Sequence, residues 1–289
     1  MKLFDFFKSE SKSNKELENS HPIKIAIQKL KKSQSAINVQ EFSNSIYESI
    51  NSKQWLPILG KNSGDKGFAM DYRFSDNKAY LSIFTDNKEI KRIPNGYTII
   101  VTDVNKVIDS VFGNTQIKGI VINPDTDQMF LEKYFLLKVL LHSQYPMHNK
   151  NITKPINWGN GIPQYSETDK MTDEEFLNFA MNQILNYECK KNGYTFVSAN
   201  DNIDVCPNII LEKDGCYHFV VVKGYCDNSE PEIDIEIKTA LLTLGKKYNA
   251  KCYYAPVGFG STDNDRFNAF LALKGDSYYL NYTGLKEVI

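Results

Sequence analysis

The stretch of this chain that leaves the fewest structural choices is Asn200 to Tyr225, NDNIDVCPNIILEKDGCYHFVVVKGY. An apolar run, Asn208-Ile209-Ile210-Leu211, meets a polar tip, Glu212-Lys213-Asp214-Gly215, and a second run from Tyr217 to Val222 ends at Lys223-Gly224. Asp-Gly between two apolar runs predicts a β-hairpin. The second half of the chain is arranged around it. Upstream, Thr172-Asp173-Glu174-Glu175 reads as a capping box opening a helix. Its apolar face runs through Phe176, Phe179, Ala180, Ile184 and Tyr187 until Gly193 stops it, and Tyr194 to Val197 is a strand. Downstream, the polar loop CDNSEPEID leads into a helix with Ile237, Leu241, Leu244 and Tyr248 on one face. A strand over Cys252 to Val257 and a last strand pair, around Phe267 to Leu273 and Tyr278 to Tyr282, close the chain.

The first half reads differently. Phe42, Ile46 and Ile50 recur every four residues over a helix from Val39 to Asn51. Trp55 to Leu59 is a strand, which Pro57 places at an edge or a strand start. Phe68 to Phe74 and Ala79 to Phe84 are two more strands, and together the three predict a meander. A strand over Tyr97 to Val101, a helix over Asp103 to Phe112 and a strand over Lys118 to Ile122 then form a β-α-β unit. Asn123-Pro124-Asp125 makes a turn before Met129-Phe130-Leu131 and a helix over Glu132 to His142. The whole predicts strands and helices around one sheet, with Asp86 and Asp125 as solvated turn carboxylates.

Length supports two domains of about 140 residues each. The segment between Ser143 and Asp169 is rich in Asn, Pro and Gly and marks the boundary. The expected organisation is a flexible leader over 1–38, a first domain over 39–143, a linker over 144–169 and an α/β second domain over 170–289. In the leader, Leu3, Phe4, Phe6 and Phe7 form a short apolar patch that reads as a frayed terminus, too short for a membrane span. No membrane association is expected.

Charge and thiols bound the function. With 34 basic and 35 acidic residues, the net charge of -1 provides no field that draws a protein onto phosphate backbones, so nucleic acid is not an expected partner. Five cysteines at spacings of 10 residues or more form no CxxC pair and read as reduced thiols of a cytoplasmic protein. His142 and His148 lack neighbouring ligands for a metal and read as solvated or capping. His218 alternates with Tyr217 and Phe219 on a strand, as a packed or surface side chain does. Cys226 is a thiol near Lys223. Gly258-Phe259-Gly260-Ser261 lacks the lysine and helix of a phosphate loop.

Two family resemblances follow. WLPIL, YLSIFTD and GIVINPDTDQMFL, in that order over about Glu41 to His142, resemble the N-terminal domain of the SseB family. That resemblance implies a small α/β domain without established catalytic residues. The order helix, strand, hairpin, helix, strand over about Thr172 to Val257 resembles the core of the PD-(D/E)xK nuclease-like superfamily. In active members, two carboxylates at the hairpin hold Mg²⁺ and a lysine orients the attacking water, because a hard cation needs oxygen ligands to bridge water and phosphate. Aligned on the hairpin, Pro207-Asn208 falls on "PD" and Val221-Val222-Lys223 on "(D/E)xK". Asn208 and Val221 replace the two acids, and only Lys223 remains.

The resulting expectation is a non-enzymatic interaction or regulatory module with an unknown protein partner, with no cofactor or metal. Asn208, Lys223 and Trp158 are its candidate binding residues. One alternative is a Mg²⁺-dependent nuclease with relocated ligands, in which Lys223, Asp204 and Glu236 are catalytic and Asp234 and Glu188 are further acids. Another is a small-molecule sensor in an inter-domain cleft near Trp158.

Overall fold

Capping and turn chemistry set the limits of most elements. In the computed structural model of the chain, residues 21–62, 68–145, 166–227 and 229–289 are described. The chain divides into two units, residues 1–144 and 145–289, of an overall α/β class. The expected linker falls mostly outside the described residues, as do Trp158, His148 and the apolar patch near the N-terminus.

The first unit begins earlier than the sequence suggested. α1 (Pro22–Lys32) starts on His21, whose Nδ1 accepts from the Ile23 amide, and Pro22 supplies the preset first position. Ile23, Ala26 and Ile27 of this helix are buried, so residues 21–32 belong to the fold and not to a flexible leader. The apolar spacing that anchors α1 is confined to three turns between polar tracts, which made it easy to absorb into the leader. α2 (Ala36–Asn51) follows with Phe42, Ile46 and Ile50 inward, as expected.

The strands of this unit do not form one sheet. β1 (Trp55–Asn62) lies between β2 (Phe68–Met70) and β5 (Thr98–Asp103), both antiparallel to it. β3 (Tyr72–Ser75), β4 (Lys78–Ile83), β6 (Ile117–Ile122) and β7 (Met129–Glu132) make a second sheet in that order. The partner of β6 across the parallel connection is therefore β4 and not β5, although α3 (Val104–Gly113) does lie between β5 and β6 in sequence. Strand partners are non-local, and periodicity carries no information about them. β1 touches the second sheet through two bonds: the Asp71 amide donates to the Leu59 carbonyl and the Phe84 amide to the Pro57 carbonyl. β2 pairs with β1 only from Gly60 onward, so Pro57 sits where no ladder partner calls for its missing N–H. α4 (Lys133–His142) closes the unit with Leu136, Leu137 and Val139 buried. His142 is buried too, since it lies on the covered side of the last turn, and is not a solvated histidine.

The loops of this unit form a paired network. Lys24 of α1 reaches Asp86 at 2.9 Å and Glu89 at 2.7 Å, Arg73 reaches Asp125 at 3.0 Å, and Lys31 reaches Asp127 at 2.7 Å. Asn123 is fully buried; its Oδ1 accepts from the Thr85 amide at 2.9 Å and its Nδ2 donates to Asp127 at 3.1 Å. Asp86 and Asp125 are thus ion-paired, with Asp86 buried, and not solvated turn acids. The reason is a cation distant in sequence in each case: Lys24 of α1, not foreseen as part of the fold, for Asp86, and Arg73 of β3 for Asp125.

In the second unit the hairpin forms as expected. β9 (Ile209–Lys213) and β10 (Cys216–Tyr225) pair antiparallel across Asp214-Gly215, both at positive φ (53° and 74°), the backbone a tight hairpin turn requires. β8 (Thr195–Ala199) flanks β9, and β11 (Ala250–Ser261) runs parallel to β10. β12 (Tyr278–Asn281) and β13 (Lys286–Glu287) pair with β11. Residues 267–273 are not a strand: α7 (Asn264–Asn268), capped by Asp263, and the turn after it occupy that stretch.

Two helices cover this sheet, one on each face. α5 (Asp173–Lys191) opens on the expected capping box, with Glu175 N–H on the Thr172 hydroxyl and the Thr172 amide on the Glu175 carboxylate. Its buried face is Leu177, Ala180, Met181, Ile184 and Glu188, rotated by about one residue from the expected one, and it packs on Ile209, Leu211, Val220, Val222, Val257 and Phe259. α6 (Ile235–Tyr248) covers the other face, where Tyr248 meets Phe219 at 6.1 Å and the Cys252 thiol donates to the Leu241 carbonyl. Cover on both faces explains the unbroken apolar run in β10.

Candidate functional site: the cleft beside Lys223

Side chains alternate along β10, so Val220, Val222 and Gly224 face α5 while Phe219, Val221 and Lys223 face α6. Gly224 is needed for α5 to pass: a Cβ there would lie 2.7 Å from the Phe176 carbonyl oxygen. Just beyond the covered part of the sheet, a cleft of about 440 Å³ opens, within the range of about 300–1,000 Å³ in which ligands are held. Its walls come from the first turns of α5 (Asp173, Leu177), the loop before β9 (Ile203 to Cys206, and Asn208), the end of β10 (Val221 to Gly224), the segment entering α6 (Glu232 to Asp234, and Ile237) and Tyr254 of β11.

The three aligned positions therefore do meet in one place. Asn208, Val221 and Lys223 share the cleft, together with Asp204 and Asp234. Glu236 does not line it. It lies exposed on α6, where Asp234 accepts the Glu236 and Ile237 amides as the N-cap. Glu188 is elsewhere: 1% exposed on α5, it accepts from the Tyr282 hydroxyl at 2.6 Å and from Asn192 Nδ2 at 2.8 Å. Tyr282 is held far above the usual phenol pKa by its burial and by that carboxylate. Glu188 falls on the stripe 177, 180, 184, 188, a helical spacing visible in the sequence once the face is placed correctly.

Asn208 is 3% exposed and all of its hydrogen-bonding groups are occupied by backbone. Its Oδ1 accepts from the Val222 amide at 2.9 Å, and its Nδ2 donates to the Val205 carbonyl at 3.0 Å and toward Asn202 O at 3.5 Å. The main chain continues the same link: Asn208 N–H donates to Val220 O at 3.0 Å and Asn200 N–H to Asn208 O at 2.8 Å. The residue clamps the loop 202–205 to β10. A carboxylate at this position has no hydrogen to give Val205, so the clamp needs an amide and works against an acid.

Lys223 is exposed, and among the described residues no carboxylate lies within ion-pair distance of it. The same holds for the exposed acids Asp173, Asp204, Glu232 and Asp234, none of which pairs with a described cation. Asp173 and Glu232 escaped sequence reasoning because one reads as a helix-start residue and the other as part of a polar loop. Four carboxylates and one ammonium leave the cleft three charges negative. Among the described residues no group of three or more His, Cys, Asp or Glu side chains is arranged to hold a metal ion.

The remaining chemical candidates are structural. Burial pushes the Cys206 thiol up to about 11, with nearby Cys252 adding to it, and burial and then Asp227 raise Cys226, so both are protonated at neutral pH and neither is an activated nucleophile. All five cysteines are unpaired thiols. His218 is buried, edge-on to Tyr194 at 5.0 Å and stacked on Tyr253 at 5.5 Å; burial lowers its pKa, with Lys251 next. Gly258 to Ser261 lies inside β11 and forms no loop. No described helix is long and apolar enough to cross a membrane.

Comparison with known proteins bears on this unit alone. No curated protein and no solved structure matches the chain. A family model described as "Domain of unknown function (DUF8840)" matches residues 174–288, less than half of the chain, from the first turn of α5 to β13, and so takes in most of the cleft lining.

Proposed function

We propose that residues 170–289 form a catalytically degenerate, nuclease-like module of a cytoplasmic protein that binds a protein partner through the cleft beside Lys223 without cutting nucleic acid. The observation that carries this reading is the engagement of Asn208. The position that would supply a metal-binding carboxylate is a buried amide tied to three backbone groups, and the second such position is Val221. A hard divalent cation depends on anionic oxygen to offset its dehydration, and neither residue provides one. The order α5, β8, β9, β10, α6, β11 supports the nuclease-like comparison, and the first unit, carrying the WLPIL, FTD and INPDTD words, is proposed to be SseB-like on the same footing.

The net negative lining argues against phosphodiester as the ligand, because unpaired carboxylates repel a polyanion. The relocated-ligand alternative keeps one specific point in its favour: Asp204, Asp234 and Lys223 line the same cleft. The test is cleavage of labelled DNA and RNA by the full chain with Mg²⁺ or Mn²⁺. No cleavage beyond background is expected. Cleavage that disappears in Lys223→Ala and in Asp204→Asn overturns the non-enzymatic reading.

A further inference from the structure

The periodicity of α6 commits Ile237, Leu241, Leu244 and Tyr248 to one face, yet the fold covers only part of it: Leu241 is fully buried and Tyr248 5% exposed, while Ile237 is 38% exposed and opens into the cleft. Ile235, next to the Asp234 cap, is 70% exposed, and Ile203 on the opposite wall is 48% exposed. Large apolar side chains left open around a concave site mark a surface that another molecule covers. The charge around them is not neutral. Asp173, Asp204, Glu232 and Asp234 all lack a cation within the described residues, in contrast with Asp86 and Asp125 of the first unit.

We infer that the occupant of this cleft is a short basic segment of another protein, an apolar side chain resting on the isoleucine-lined wall and flanking lysines or arginines meeting the four carboxylates. This rests on the non-enzymatic reading and adds the chemistry of the partner. Complementary charge sets encounter rate and specificity, and the apolar anchor supplies the contact that holds the complex. Among the described lining groups, Lys223 alone opposes such a ligand.

The test uses the full chain and three fluorescein-labelled dodecapeptides: leucine alternating with lysine and arginine, the same peptide with glutamate for every basic residue, and the basic peptide with serine for leucine. At physiological ionic strength the first binds saturably, the second does not, and the third binds about tenfold more weakly or worse. Asp204→Asn with Glu232→Gln, two exposed positions whose change leaves the fold intact by urea unfolding, weakens the first peptide about tenfold, and Lys223→Ala binds it at least as tightly. Preference for the acidic peptide, or affinity unchanged in the double variant, overturns the assignment while leaving a non-enzymatic module standing. Displacement of the peptide by equimolar spermidine makes the ligand a small amine and also overturns it. So does a dimer that the double variant dissociates, since the occupant is then a second copy. Metal-dependent cleavage by the same preparations marks failure of the underlying reading instead.

Discussion

The loop acids of the first unit and the cleft acids of the second are handled in opposite ways. In the first, Asp86, Glu89, Asp125 and Asp127 each meet a lysine or arginine from another element, and Asn123 and Thr85 fill the gaps between them. In the second, Asp173, Asp204, Glu232 and Asp234 stand around an apolar cleft with no cation among the described residues to meet, although other acids of that unit, Asp276 with Arg266 and Glu230 with Lys286, are paired. A carboxylate with a partner from elsewhere in the fold fastens loops together. One without such a partner, beside open apolar surface, fastens no second element, even where, like Asp234, it caps its own helix, and its charge is available to a ligand. The distinction predicts which side chains the fold needs and which it does not.

The largest expected effect tests whether the clamp at Asn208 belongs with the fastening groups despite lying in the cleft. Asn208→Asp places a second carboxylate oxygen against the Val205 carbonyl with no proton between them and buries a charge, at a cost of about 3 kcal/mol in urea unfolding at neutral pH. Stability of that variant recovers on acidification, because protonation restores a donor. A variant as stable as the parent at pH 7 breaks the account of this residue, and with it the observation behind the proposed function.

Next in size is a pH effect placed in the first unit. Burial lowers the pKa of His21 from 6.5 to about 4, with Asp86 opposing, and its Nδ1 is already accepting from the Ile23 amide. The folded state therefore binds its proton later than the unfolded chain. Stability from this group is complete above about 6.5 and is lost as pH falls toward 4, by about 2 kcal/mol between pH 6.5 and 5. His218, also lowered by burial, acts in the same direction from the second unit. His21→Asn keeps an N-cap acceptor and flattens the slope of unfolding free energy against pH, leaving the part due to His218. An unchanged slope places the acid sensitivity outside α1.

What the sequence made legible was local. The Asp-Gly turn, the Thr172 capping box and the apolar run of β10 depend on neighbours within a few residues, and each stands where expected. The meeting of Asn208, Val221 and Lys223 was legible as well, because a hairpin fixes its own register. The pairing of β6 with β4, the inclusion of α1 in the first unit and the burial of Glu188 against Tyr282 depend on partners from 38 to 94 residues away. Lys24 illustrates the gap: in sequence it is a charge in a polar tract, and only the folded loop that brings Asp86 and Glu89 to it makes it structural. The acids of the cleft were visible one at a time, but their lack of partners among the described residues could be recognised only once the cations of the fold had been placed.

The smallest expected effects test the comparison most directly, because they contrast neutralisation of one acid in each setting. Asp86→Asn removes the charge facing Lys24 but keeps an oxygen for the Lys88 amide, so it costs about 1 kcal/mol, and the cost shrinks little in high salt because the site is buried. Asp204→Asn with Glu232→Gln stays within about 0.5 kcal/mol of the parent, as exposed substitutions without partners do. Its sign is expected to be stabilising at low ionic strength, where four neighbouring carboxylates repel one another, and to vanish as salt screens them. Urea unfolding at two salt concentrations reads both pairs. A destabilising double variant means that the cleft acids have partners in the fold, in which case the two groups of acids do not differ in kind and the cleft loses the feature that sets it apart as a binding surface.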